Sequence, residues 1–169
     1  MSRAILALVT VFIFGCETKN DKLFWVDKPS GHENDLLFLV ESTNVAQLQG
    51  DSLRLFLTQS EFENINMLPT SYKNFGQLRK EENFKVFVLL QEIDTLGGDY
   101  HFLIRTYDNN YKIIDSFELA TWDEHQKKFC YGSINRDLLI ERECDDKEVN
   151  DIMQITREGK IVNTSFHKP

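Results

Sequence analysis

From residue 85 onward the chain is cut into short runs rich in β-branched and aromatic residues, with spacers too tight for anything but hairpins. The runs span 85–93, 101–107, 111–122, 129–134, 138–144, 151–156 and 160–166. Gly97-Gly98-Asp99, Asp108-Asn109-Asn110, Asp145-Asp146 and Arg157-Glu158-Gly159 separate most of them. Glycine, asparagine and aspartate at such points favour tight turns between paired strands. A parallel crossover needs a dozen or more residues, which these spacers lack. The pattern predicts an antiparallel β-meander in a mostly β, or α+β, single domain. The expected architecture is a curved sheet or a small sandwich or barrel, with one or two short helices.

The first half is less regular. Residues 36–41 form a short apolar run, and in 52–58 Leu53, Leu55 and Leu57 alternate with Arg54, Phe56 and Thr58. Period-two alternation predicts a strand there. Ser60-Glu61-Phe62-Glu63 has the spacing of a capping box between Ser60 and Glu63. It predicts a helix of about two turns that Pro69 stops, because proline cannot continue one. Another helical turn is expected within 75–82.

Thirteen phenylalanines are many for a chain of 169 residues, and several sit in strands that are apolar at both parities. Val86-Phe87-Val88-Leu89-Leu90 is one example. A strand apolar on both faces is buried on both sides or lines a pocket for an apolar ligand. Core packing is the simpler account.

At the N-terminus, Arg3 precedes a run from Ala4 to Phe14 that is apolar except for Thr10, and the chain turns polar at Glu17. At about 1.5 Å per residue that run extends roughly 16 Å as a helix, about half a bilayer's hydrocarbon thickness. This is the layout of an export signal, not of a membrane span. Ile13-Phe14-Gly15-Cys16 resembles the lipobox of bacterial lipoproteins, in which a signal peptidase cuts just before a cysteine that is lipidated. The resemblance implies a signal peptide over 1–15 and lipid on Cys16. Residues 16–34 then read as a lipidated tether, and 35–169 as one globular β-rich domain. Within the tether, the cluster Leu23-Phe24-Trp25-Val26 either docks on the domain or is its first edge strand.

The chain carries 19 Lys and Arg against 27 Asp and Glu, a net charge of −8. Loss of Arg3 with the signal deepens that excess. An acidic domain lacks the basic patches that nucleic acid and anionic lipid require, so no nucleic-acid partner is expected.

Beyond Cys16, two cysteines remain, Cys130 and Cys144. An extracytoplasmic compartment would permit a bond between them. If Asn135-Arg136 were a two-residue hairpin turn, Cys130 would face Glu141. If the segment were one long bent strand, the two would lie beyond the roughly 7 Å that bonded Cα atoms tolerate. Two free thiols are therefore expected, with Cys130 a small buried residue of an aromatic strand.

No constellation with catalytic spacing emerges. His32, His101, His125 and His167 are scattered singly, and there is no CxxC, so neither metal nor cofactor is expected. Asp145-Asp146 with Glu143 and Glu148 reads as a solvated acidic loop rather than a calcium site. No GxSxG elbow, GxGxxG or P-loop occurs. The one catalytic alternative is a small hydrolase with carboxylates near Trp122: Asp115 and Glu118 on a strand, then Asp123, Glu124 and His125. A glycosidase would need one carboxyl kept protonated by an apolar setting. The plainer account is a strand end with one half-buried tryptophan opening into solvated charge.

These readings point to a lipid-anchored envelope protein, outer membrane before inner, acting as a non-catalytic binding or accessory module. Its partners beyond the membrane would be another envelope protein, a glycan or an apolar small molecule. A narrower version is a single-partner inhibitor or protective protein whose negative field meets a basic target.

Overall fold

The computed structural model describes residues 21–27, 45, 47–65, 70–93, 99–123, 126–146 and 150–164. The signal sequence, Cys16, the 36–41 run, Pro69, Gly97-Gly98, Glu124, His125 and Glu148 lie outside them.

Among the described residues nine strands form one antiparallel sheet that does not close. They are β1 (Lys22–Val26), β2 (Thr70–Lys80), β3 (Lys85–Ile93), β4 (Asp99–Tyr107), β5 (Ile113–Asp123), β6 (Lys128–Asn135), β7 (Leu139–Cys144), β8 (Asp151–Ile155) and β9 (Ile161–Asn163). From β2 to β9 each strand pairs with its successor, as a meander requires. The turn chemistry operates as its composition suggests. Asp108 Oδ1 accepts from the amides of Asn110 and Lys112, closing the β4–β5 hairpin. Gly159 adopts φ 79° in the β8–β9 turn, a left-handed conformation that costs glycine little.

The meander has one split. β5 pairs with β6 at Thr121, Trp122 and Asp123, opposite Cys130, Phe129 and Lys128. Farther along, β6 pairs instead with β1, Val26 opposite Gly132 and Trp25 opposite Ser133. The Leu23–Val26 cluster is thus a strand of the sheet, and Phe24 and Val26 pack into its core. Gly132 permits the close approach of β5 at this split: a Cβ there would stand 2.9 Å from the Leu119 carbonyl oxygen.

β3 is buried on both faces, as its double parity implies. Val86, Val88 and Leu90 join Phe102, Ile104, Leu119, Ile134 and Ile140 in the main core. Phe87 and Leu89 point the other way and meet Tyr72, Tyr107 and Leu48 under two short helices.

Those helices, α1 (Asp51–Phe56) and α2 (Gln59–Asn64), correct three expectations. The strand expected over 52–58 is largely α1. Its apolar residues turned to the core are Leu53 and Phe56, a helical i, i+3 pair followed by the buried, extended C-cap residue Leu57, while Leu55 of the misleading alternation is 41% exposed. The capping box belongs to Thr58 and Glu61, two residues earlier than Ser60 and Glu63. The turn expected in 75–82 is instead the end of β2, held to β3 from Thr70 opposite Ile93 to Lys80 opposite Lys85. Pairing to a buried neighbour overrides local helical preference there.

The expectation of free thiols is also overturned: Cys130 and Cys144 are disulfide-bonded, with Cα atoms 4.0 Å apart. The β6–β7 turn is longer than two residues. Asn135 Oδ1 accepts from the amides of Asp137 and Leu139, and Leu138 takes φ 62°. That turn sets Ile134 opposite Ile140, Ser133 opposite Glu141, and Cys130 opposite Cys144.

Candidate functional site

The carboxylates near Trp122 are brought partly together, each in a definite task. Asp115 accepts from the Ile161 amide at 3.0 Å and so holds β9 against β5. Asp123, expected to be solvated, is 6% exposed and accepts from the Gln126 amide at 2.7 Å across the β5–β6 turn. Trp122 is half-buried and packs on Phe129, ring centroids 4.4 Å apart.

Glu118 is the hub. His101 Nδ1 lies 2.9 Å from Oε2 and, since a carboxylate only accepts, donates to it. Lys128 Nζ donates to Oε1 at 3.0 Å, and Arg142 Nη1 reaches the same oxygen at 3.4 Å. Arg142 also donates to the Glu118 main-chain oxygen at 2.8 Å and pairs with Asp151 at 3.0 Å. Burial pushes the Glu118 pKa up, but hydrogen bonds from His101 and Lys128, the lysine's charge and the Thr121 hydroxyl outweigh it and hold it at about 2. A carboxyl so placed is ionised throughout the ordinary pH range. It is the opposite of the protonated acid that glycoside cleavage requires.

A second cluster escaped sequence reasoning, because its members are far apart in the chain. Arg105, 3% exposed, donates to the Phe56 carbonyl at 2.9 Å and pairs with Glu61. The Tyr107 hydroxyl donates to the same carbonyl at 2.8 Å. Burial acts to raise the Glu61 pKa, but Arg105 and Thr58 together bring it below its ordinary value. The cluster fastens both helices to the sheet, and its polar atoms are mutually satisfied.

The third feature lies on the outer face of β1, β6 and β7. A cleft of about 160 Å³ is lined by both acidic and basic side chains, Asp27, Glu141 and Glu143 with Lys22 and Arg142, together with Tyr131 and Ser133. The register explains the grouping. Trp25, Ser133 and Glu141 lie in one cross-strand row, and Tyr131 and Glu143 form the next. The Tyr131 hydroxyl donates to Asp145 at 2.9 Å and lies 3.4 Å from Glu143. Trp25 is 39% exposed, among the exposed large apolar side chains of the described residues. The alternation of outward Tyr131 and Ser133 with inward Cys130 and Ile134 is a sequence signal for this face, but the register that aligns it with Trp25 is not.

Among the described residues no group of three or more His, Cys, Asp or Glu is placed to hold a metal ion. Comparison with family models, with curated proteins and with solved structures finds no match.

Proposed function

We propose that this protein is a lipid-anchored component of the bacterial cell envelope, its β domain serving as a binding or accessory module without catalytic chemistry. The observation that carries the reading is the Cys130–Cys144 bond. Structural disulfides persist in oxidising, extracytoplasmic compartments and are rare in the cytosol. This supports the export that the lipobox at Ile13-Phe14-Gly15-Cys16 implies. Three acyl chains on Cys16 would hold the protein firmly, since each buried CH₂ adds about 0.8 kcal/mol and two chains suffice for stable anchoring. Binding is favoured over hydrolysis because Glu118, Asp115 and Asp123 are engaged in ion pairs and turn or strand contacts.

The test of the anchor is Cys16→Ser. The variant should lose metabolic labelling by fatty acid and move to the soluble fraction, whereas continued labelling would overturn the anchor. For the non-catalytic reading, a glycan panel is screened for turnover. Hydrolysis by the wild type that Glu124→Gln abolishes would replace this reading with the hydrolase.

A further inference from the structure

We propose that the end of the domain formed by the β2–β3, β4–β5, β6–β7 and β8–β9 turns rests on the anionic headgroups of the membrane that holds the anchor. The inference rests on the lipid-anchor reading and gives the anchored domain an orientation.

The register places the chain's entry at that end. Alternate turns of an antiparallel meander lie at the same end of its sheet, and β1 runs against β6 with Lys22 opposite Asn135. The Asp21 carbonyl accepts from the Arg136 amide at 3.0 Å, so the chain joins the sheet beside the β6–β7 turn. The turns are knit together there. Asn109 Nδ2 donates to the Glu82 carbonyl at 3.0 Å, and the Thr106 hydroxyl to the Gly159 carbonyl at 2.6 Å. Because β1 is part of the sheet, the tether expected over 16–34 reaches it at Asp21, five residues after Cys16. Five extended residues span at most about 18 Å, roughly half the length of an 11-residue strand such as β5. The turn end is thus held near the bilayer whichever way the domain leans.

Charge decides the lean. Lys22, Lys80, Lys112, Arg136, Arg157 and Lys160 are exposed at the turn end, against exposed Asp21, Glu82, Asp137 and Glu158. Glu81 is paired with Arg79 at 2.6 Å, and Asp108 is occupied by the amides of its own turn. At the opposite end the described residues expose Asp27, Glu143, Asp145 and Asp146 against Lys127. A chain of net charge −8 is therefore positive where it meets its own anchor. Anionic headgroups attract such cations within a Debye length, about 8 Å at physiological salt, and repel the acidic end. The whole-chain balance argues against anionic lipid only because it averages over two ends that the register separates.

Lipidated protein, purified from cells expressing the full chain, is bound to phosphatidylcholine vesicles and to vesicles that also contain phosphatidylglycerol. A membrane-impermeant acetylating reagent is added, and modification of each lysine is followed by mass spectrometry. Lys80, Lys112 and Lys160 should react at least about threefold more slowly on the anionic vesicles, and raised salt should restore their rates. Lys127 at the far end should change less than about 1.5-fold, since it lies well beyond a Debye length from the headgroups. Arg136→Gln with Arg157→Gln should remove about half or more of the slowing at Lys80 and Lys112. Equal rates on the two kinds of vesicle, or slowing of Lys127 to the same degree, would overturn the orientation while flotation with the vesicles leaves the anchor standing. Failure to float with phosphatidylcholine vesicles would overturn the anchor, and this inference with it.

Discussion

Arg142 on β7 donates to both the main-chain oxygen and the carboxylate of Glu118 on β5, two strands that are not neighbours in the sheet. Where β6 leaves β5 to pair with β1, the edge of β5 loses its strand neighbour. A guanidinium from β7 takes up one of its carbonyls, and Asp115 of β5 accepts an amide of β9. The seam of the folded sheet is thus sealed by side chains instead of a ladder.

The Glu118 cluster makes stability pH-dependent. Its folded pKa of about 2 lies below the ordinary 4.5, so its contribution is complete above the unfolded value and is lost as pH falls toward 2. Linkage sets that contribution on the order of 3 kcal/mol. Urea melts at pH 7, 4 and 2.5 should show the wild type losing most of this increment. Glu118→Gln should be destabilised at pH 7 and lose correspondingly less on acidification. Parallel losses in the two proteins would show that Glu118 is not responsible.

Cys130 and Cys144 close a loop with a sequence separation of 14, for which the chain-entropy model assigns about 3 kcal/mol. Replacing both by alanine should lower the urea midpoint accordingly. The native chain should resist alkylation until it is unfolded and reduced. Two equivalents of alkylated thiol from these residues without reductant would contradict the bond.

Gly132→Ala brings a methyl carbon against the carbonyls of Glu141 and Leu119, neither of which belongs to a flexible side chain. The strands must move apart, and overpacking of this kind typically costs about 1–3 kcal/mol. A melting temperature equal to wild type would show that β5 and β6 adjust freely at the split.

Trp122→Ala removes a half-buried ring from Phe129 and should cost about 2–3 kcal/mol, below the range for fully buried tryptophans. Asp123→Ala should cost about 1 kcal/mol, because the Gln126 amide loses its acceptor. Asp123→Asn retains an oxygen there and should be milder. Chemical denaturation of the three variants checks the order, and an inert Asp123→Ala would refute the turn-closing role.

Much of this was legible in the residues themselves. The strand over 85–93 coincides with β3, and the turns at Asp108 and Gly159 fall where their side chains and backbone freedom require them. Local chemistry is sufficient for those features, since a turn residue acts on amides two to four positions away. The double-faced burial of β3 was legible for the same kind of reason, as two apolar parities need two apolar surroundings.

What the sequence by itself determined is therefore the meander: antiparallel strands, their punctuation, the acidic balance and the lipobox-like start. Tertiary structure alone decided the rest. Leu53 and Phe56 became helical because the second face of β3 needed cover, and helical spacing presents both to it at once, with the extended Leu57 packed beside them. Cys130 met Cys144 because the Asn135 turn is longer than a two-residue loop, and a change of turn length alters every pairing beyond it. Glu118 became an ion-pair hub, and Trp25, Ser133 and Glu141 became neighbours, because strands remote in the chain were laid side by side. Register and folding-over are properties of pairs of strands, and no single segment carries them.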